Sequence, residues 1–418
     1  MFVTEVRGPA DDPTVRCFVP RPGLRAGLSR RLRAFWLRRS MARYQRSRPG
    51  GHEAFSDDRT AYGPDPVTQL PPGDVVNVHA MFRFMDYRAF FAAVPGRTPV
   101  VRTMHDMNFF TGGCHIAAGC ERYLERCGAC PQLGSRDPHD LSRRIWQRKR
   151  SALRAVSAGR LHAVAASRWL AAAAERSGLL HEVPVSVIPF GVDTAVFSAR
   201  DRRASRQALG ISEDAQVVLF VAEPVSRPLK GLATLVEALN GLWDMPHLTL
   251  ISAGSGRPPT QVKVPYLSFG RVESDRVLSL LYNAADVVAV PSSQESFSLV
   301  CLEAMACGVP VVGSAVGGIA EIVRPGVTGM LVPPHDASAL RAAIAKVLKD
   351  QTGRAAMAGE CRRLAVAEYT LELYARRYIG LYTALLHGQA PSPSGTPSLA
   401  AEQTESDPAA VGSREPGP

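Results

Sequence analysis

Glu295 and Glu303 flank the expected start of an apolar helix near Phe297, in a loop that follows a short β-branched run ending at Pro291. The first turn of a helix leaves its N–H groups without intrahelical acceptors, and the dipole there favours negative charge. The amides at Ser298 and Leu299 are therefore a candidate anion site. From Ser298 to Glu303 the axial rise is about 7.5 Å. That span suits a nucleoside diphosphate, its distal phosphate resting on the helix start while Glu303 accepts hydrogen bonds from ribose hydroxyls. Glu295 then faces the group carried by the phosphate. The same spacing also describes two ordinary surface acids. Lys230 follows Pro228-Leu229 and opens a second amphipathic helix. Only five of the 49 basic residues are lysines, and a compact ammonium there fits either a diphosphate or a solvated helix start. Arg227 is the neighbouring cation. His105 follows a strand candidate, which places it at a sheet's carboxyl edge, as a ligand contact or a structural histidine. Cys114, Cys120, Cys127 and Cys130 form C-x5-C-x6-C-x2-C. Four thiols at this spacing suggest a structural zinc knuckle, with a disulfide pair, redox use or reduced core thiols as alternatives.

These residues need a scaffold, and the chain is long enough to supply one. Its 418 residues, 46% hydrophobic and 21% charged, suit two or three globular domains. Short apolar runs at 74–80, 99–104, 161–166, 185–189, 217–222, 248–253, 286–291, 310–314 and 329–332 alternate with helical patterns at 167–175, 231–240, 274–283, 297–306 and 337–349. Such alternation predicts parallel α/β sheets. It breaks near 189–203, which splits the chain into an N-terminal Rossmann-like domain (1–192, with a cysteine-rich loop at 111–133), a linker (193–204) and a C-terminal domain (205–366). A last helix is expected in 367–388 and a disordered tail in 389–418, rich in Pro, Ser, Gly and Glu. No apolar run reaches a membrane span and no secretory signal pattern opens the chain. A cytoplasmic protein with reduced cysteines is expected.

The net charge of +11 is concentrated early: residues 1–50 hold twelve arginines against three acids. Between 21 and 48 these surround Leu24, Leu28, Leu32, Phe35 and Trp36 at helical spacing. Two readings stand: a basic amphipathic helix touching anionic lipid at the inner face of the membrane, or a solvated helix packed on its own domain. No zinc-finger or RNP-type pattern accompanies the charge, so nucleic acid is not an expected partner.

The stretch from Pro291-Ser292 through Glu295, Glu303 and the following Ala-Met-Ala-Cys-Gly, then Gly308–Val312, Gly317-Gly318 and Thr328–Val332, resembles the donor-binding signature of the retaining glycosyltransferases of family 4. Val78-His79, His105-Asp106-Met107, Thr111–His115, Cys127–Leu133, Ser167–Leu170 and Val187–Asp193 resemble more narrowly a subgroup that includes colanic-acid-type polysaccharide enzymes. The resemblance implies a GT-B fold, two Rossmann-like domains facing across a cleft. It also implies transfer of a sugar, with retention, from a nucleotide diphosphate sugar to a saccharide or lipid-linked saccharide acceptor, with no catalytic metal. By the same resemblance Glu303 binds ribose, Glu295 and His105 attend the donor sugar, Lys230 and Arg227 hold the diphosphate, and Gly317 and Gly318 let the backbone approach the nucleotide. Two positions depart from the pattern. Ser298 stands where the family often has glycine, and Val225 stands where it usually has arginine. A family member normally opens with a strand, a glycine-rich loop and a helix, whereas here Met1–Arg7 reads as the second strand, so the N-terminal sheet is expected to lack its first βα unit. A nucleotide-sugar epimerase of the same architecture, or an inactive sugar-nucleotide-binding protein, are the alternatives.

Overall fold

The computed structural model describes residues 2–3, 14–49, 54–156 and 159–389. Strands β1 (Phe2–Val3) and β2 (Arg16–Cys17) pair in parallel as a two-stranded ladder of their own. The strand expected at Met1–Arg7 is thus described only at Phe2–Val3, and it does not join the main N-terminal sheet. Its partners Arg16 and Cys17 are exposed. Helix α1 (Leu24–Ala42) follows, and none of its residues is buried.

The N-terminal domain is built on β3 (Val76–Val78), α2 (Tyr87–Ala93), β4 (Val100–Met104), α3 (Leu141–Arg154), β5 (Leu161–Ala165), α4 (Arg168–Glu175) and β6 (Val185–Val187). The four strands lie in the order β3-β4-β5-β6 and all are parallel. Every residue of β4 and β5 is buried, the pattern of central parallel strands covered on both faces. Asp86, Asp140 and Ser167 start the three helices by accepting the amides of Ala89, Arg143 and Leu170.

The C-terminal domain contains α5 (Arg202–Leu209), β7 (Gln216–Val221), α6 (Leu232–Asn240), β8 (Leu248–Ala253), β9 (Tyr266–Ser268), α7 (Asp275–Ala284), β10 (Val287–Val290), α8 (Leu299–Ala306), β11 (Val311–Ser314), α9 (Ile319–Ile322), β12 (Gly329–Val332), α10 (Ala337–Lys349) and α11 (Gln351–Glu368). Its six parallel strands run β12-β11-β10-β7-β8-β9. Alternate residues divide the core between two faces. Val217, Leu219, Val288 and Val290 meet Leu302 and Met305 of α8, whereas Val218, Phe220 and Ala289 meet Leu235 and Leu239 of α6 and Ile344 of α10. Strand order reverses between β7 and β10, and a crevice opens at the carboxyl ends of such a pair.

Three boundaries differ from the sequence expectation, each because a side chain caps a helix elsewhere. Asp201 starts α5 inside the stretch 193–204. Helix α8 begins at Leu299 because Ser298 accepts the Cys301 amide, which leaves Phe297 as a buried contact. Helix α11 runs past 366 to Glu368, and Thr370 then caps α12 (Leu371–Leu386). That last helix returns to the N-terminal sheet, where Tyr378 bonds Thr103 (2.7 Å) and Tyr382 accepts from Asn77 (2.6 Å). Of the expected tail, 390–418 lies outside the described residues.

Candidate functional site

The loops after β7 and β10 meet at the point where strand order reverses. After β7 the chain turns through Arg227 and Pro228 to Lys230 and Gly231. Gly231 has φ 76°, and a Cβ there would sit 2.0 Å from the Pro291 carbonyl oxygen. This close approach brings Lys230 to the β10 loop, where its ammonium donates to Glu295 Oε2 at 2.5 Å. The predicted diphosphate cation and the predicted sugar-facing acid are therefore one ion pair. Val225 is fully buried, which explains why no arginine occupies that position here, and Arg227 stands partly exposed at the turn.

Ser298 is consumed as the cap of α8, but the helix start remains open. Leu299 is 45% exposed, and the amides of Leu299 and Val300 have no acceptor among the described residues. Glu303 lies just over one turn further on, half-buried. Its Oε2 accepts the Tyr282 hydroxyl at 2.6 Å, and the second oxygen has no partner among the described residues. Burial pushes the Glu303 carboxyl above its ordinary range. Tyr282 is wholly buried, and burial together with the Glu303 charge raises its phenol well above the usual value. It is a positioning group that the sequence reading missed. The signal was a tyrosine on α7 facing the α8 core, indistinguishable by spacing from packing.

Gly317 and Gly318 make a close approach to the Glu295 loop. A Cβ on Gly317, whose φ is 47°, would stand 1.8 Å from the Glu295 carbonyl oxygen. One on Gly318 would stand 2.8 Å from Ser296 O and Phe297 Cα. The glycines thus let the 315–318 turn close on the Glu295 loop itself, a contact fixed by the Gly318 amide donating to Glu295 O at 3.1 Å.

The N-terminal domain presents its own carboxyl edge to this loop. The Ser296 hydroxyl donates to the His105 carbonyl (2.8 Å), and the Ser167 hydroxyl donates to the Ser296 carbonyl (2.7 Å). Glu321 reaches across to accept the Arg168 and Trp169 amides (2.9 and 2.7 Å), an acid on the α4 start. The Ala118 amide donates to Gln294 Oε1 at 2.8 Å. None of Gln294, Glu321 or Tyr282 is marked by a motif; Gln294 and Glu321 emerge from the packing of the two domains, and Tyr282 from the packing of α7 against α8.

His105 is exposed and stacks on Phe190 (5.1 Å between centroids, 20° between planes). Its Nε2 shares a hydrogen bond of 3.0 Å with Nδ1 of His79. The two histidines follow the carboxyl ends of adjacent strands, β4 and β3; the strand pattern in the sequence placed His105 there, while His79 appeared only within a resembling word and without a role. Desolvation, the His105 charge and the buried Arg102 push His79 down to about 4; desolvation and Arg102 also lower His105. Both rings are neutral at pH 7, so one donates and the other accepts. Next to them, Asp106 accepts from His115 Nδ1 (2.6 Å) and His115 Nε2 contacts Ser56 (2.8 Å).

Between the domains lies a cleft of about 840 Å³, walled by Leu229, Ser293 and Gln294 on one side and Ala117, Gln132 and Trp169 on the other. Of the predicted site residues, Gly317 lies on this wall. Part of the cysteine-rich segment thus forms the rim. Its four cysteines line one cavity of about 20 Å³. Cys127 Sγ accepts the Gly112 amide at 3.1 Å. Burial pushes Cys127 up to about 12 and raises Cys114 and Cys130 as well. No set of three His, Cys, Asp or Glu side chains among the described residues is arranged to hold a metal. The expected zinc knuckle therefore has its cysteines around one space without a formed ligand set. No helix among the described residues is long and apolar enough to cross a membrane.

Two parallel-sheet α/β domains, facing each other through the carboxyl edges of their strands, define the GT-B class of architecture. Residues 215–350 match the family described as glycosyl transferases group 1. The chain is 39% identical over 191 residues to a D-inositol 3-phosphate glycosyltransferase of Actinosynnema mirum (42% of this chain, 46% of that one). It is likewise 39% identical over 214 residues to its namesake in Geodermatophilus obscurus (47% of each). The chain spans about half the length of these relatives. Among solved structures it is similar to the sucrose-phosphate synthase of Thermosynechococcus elongatus (TM-score 0.56, 23% identity, 76% of this chain and 74% of that one). It is also similar to Anabaena HepE in complex with UDP (TM-score 0.56, 20% identity, 88% and 86%).

Proposed function

We propose that this protein transfers a sugar from a nucleoside diphosphate sugar to a saccharide or lipid-linked saccharide, with retained anomeric configuration, in polysaccharide assembly. One observation carries the reading: the Lys230–Glu295 pair stands at the C-terminal domain's switch point beside the open start of α8, in the loop whose next residue, Ser296, bonds the His105 carbonyl of the other domain. The group 1 match over 215–350, which contains Lys230, Glu295, Glu303 and both glycines, supports it. In this reading Lys230 and the Leu299 and Val300 amides hold the diphosphate and stabilise the charge that develops on it as the glycosidic bond breaks. Glu303, oriented by Tyr282, binds the ribose. Glu295 and the neutral His105, its ring held by His79 and Phe190, position the donor sugar's hydroxyls. The leaving phosphate accepts the acceptor's proton on the same face, so no protein base is required for retention. The polar bonds between domains hold the cleft closed against water, which favours transfer over hydrolysis.

The test is release of nucleoside diphosphate from a panel of sugar nucleotides, with and without saccharide acceptors. Release that depends on acceptor is expected, and donor binding should weaken about tenfold or more in Glu303→Ala, roughly the loss of a charge-assisted bond. Conversion of the donor with no acceptor present would instead identify an epimerase. Unchanged donor affinity in Glu303→Ala would remove the ribose assignment.

A further inference from the structure

Helix α1 has the charge and the apolar content of a surface-seeking helix, and the fold leaves that content unused. At about 100° per residue, Leu24, Leu28, Leu32, Phe35 and Trp36 fall within about 120° of the helix circumference. A stripe of this width on a globular helix is normally covered. Here the five side chains are 94, 61, 52, 55 and 61% exposed; Phe35 and Trp36 pack edge to face on each other (5.6 Å), and Trp36 also borders a cavity it shares with Arg59 and Asp86. The helix is nevertheless fixed. From its other side Arg33 donates to the Tyr62 carbonyl (3.3 Å) and Met41 packs against the cluster of Tyr44, Phe55, Leu133 and Ile145. Leu24, Leu28, Leu32 and Phe35 therefore point away from the body of the domain, with Trp36 at its margin.

The charge around it is of one sign. Residues 14–48 contain eleven arginines and no aspartate or glutamate. Arg25 and Arg39 lie within the apolar arc, with Arg31 and Arg38 along its edge. None of these four is in an ion pair among the described residues. Beyond the helix, the Ser47 hydroxyl donates to the Leu133 carbonyl (2.8 Å) and Arg48 to the Gln132 carbonyl (3.1 Å), and Pro49 lines the interdomain cleft. The segment that carries the stripe is thus bonded to the rim of the cleft.

We propose that α1 lies flat on an anionic lipid surface, with its leucines and aromatic rings in the headgroup boundary and its arginines on lipid phosphates. Only that partner uses both features. A second copy of the chain would set one acid-free arginine cluster against another, and a nucleic acid would take the arginines but leave five large apolar side chains in water. Docking brings the cleft rim to the bilayer, where a lipid-borne acceptor would be met; that consequence rests on the transfer reading, while the docking itself does not.

The experiment is co-sedimentation of the full chain with phosphatidylcholine vesicles, with and without phosphatidylglycerol, at low and high salt. Binding is expected only with the anionic lipid and should fall with salt. The Leu28→Glu/Phe35→Glu variant should lose it about a hundredfold, and each of Arg31→Gln and Arg38→Gln should weaken it about fivefold. Because no residue of α1 is buried, the variants should keep the parent melting temperature, and a blue shift of Trp36 emission on binding, lost in Trp36→Phe, reports insertion. Four results would each overturn the proposal: no binding to anionic vesicles, equal binding by the stripe variant, a chain that self-associates through α1, or one that prefers nucleic acid to lipid. Nucleoside diphosphate release with soluble acceptors, measured in the same variants, separates this outcome from failure of the transfer reading.

Discussion

Replacing Glu295 by glutamine should tighten the binding of a free nucleoside diphosphate. In the structure the Lys230 ammonium is held by Glu295 at 2.5 Å, with side-chain exposures of 27% and 12%. An incoming diphosphate has to share or displace that carboxylate. Two unit charges about 4 Å apart in a medium of effective dielectric about 20 attract by about 4 kcal/mol. The lysine's partial exposure and counter-ion screening cut the net effect to about 1 kcal/mol. Removing the carboxylate charge while keeping its shape should therefore lower the dissociation constant for UDP or GDP about fivefold. Lys230→Gln should raise it about tenfold or more, and in the double variant the gain from Glu295→Gln should vanish, since there is no longer a cation to release. Titration calorimetry at low and high salt reads all of these, and the gain should shrink as salt rises. Sugar transfer by Glu295→Gln should fall at the same time, because the residue that positions the sugar has lost its charge. If Glu295→Gln binds the diphosphate more weakly, or if its gain persists without Lys230, then the pair does not restrain the cation and the argument fails.

Two further outcomes follow from the packing. Gly317→Ala must hold a non-glycine residue at φ 47° with its Cβ 1.8 Å from the Glu295 carbonyl oxygen. Left-handed strain and the forced shift of the loop together cost about 3 kcal/mol, or about 6–12 °C in the melting of a domain of about 160 residues, readable by calorimetry. A melt within about 2 °C of the parent would show that the turn has room to spare. His162, buried on β5 and bonded to Ser186 (2.9 Å), is pushed down to about 4 by desolvation. The unfolded chain takes up that proton near pH 6.5 and the folded chain refuses it, so the contribution is intact above about 6.5 and is lost as pH falls towards about 4. His162→Gln should flatten that part of the acid-unfolding curve, and an unchanged slope would place the acid sensitivity elsewhere.

The C-terminal sheet was largely readable because its strands are buried on both faces and so appear as apolar runs between Pro, Gly and polar turns: 248–253 and 329–332 match the observed β8 and β12. Elements with little to bury, or with apolar positions masked by charge, were not readable. Strand β9 is a short edge whose last two residues are exposed. Helix α3 hides its apolar positions Leu141, Ile145, Trp146 and Ala152 among five arginines, and α11 buries only Cys361, Leu364 and Ala365. The site divides in the same way. Local spacing exposed the α8 start and Glu303. The pairing of Lys230 with Glu295 depends on β7 and β10 being neighbours although 65 residues separate the two side chains, which is a property of strand order. The family resemblance assigned the two glycines to the nucleotide; that they also admit the protein's own Glu295 loop depends on the fold of the 315–318 turn and is not legible in the sequence.

How the two domains are joined bears on how a donor could enter. The named contacts across the cleft are hydroxyls on carbonyls, a carboxylate on amides and an amide on Gln294, each worth about 1 to 3 kcal/mol net and each replaceable by water on opening. By contrast, Phe190, which follows β6, sits within 5.1 Å of both His105 and Phe297 and 6.2 Å of Tyr374 on α12. Next to it the Val192 amide donates to the Tyr369 carbonyl (2.7 Å). Water cannot replace an aromatic contact, so this cluster is the part of the junction that costs most to break. The polar side can part while the Phe190 side stays packed, which makes the crossover between 190 and 192 and between 369 and 371 the axis about which the cleft would open. His105 spans the two sides: its ring stacks on Phe190, while its carbonyl accepts the Ser296 hydroxyl on the parting side.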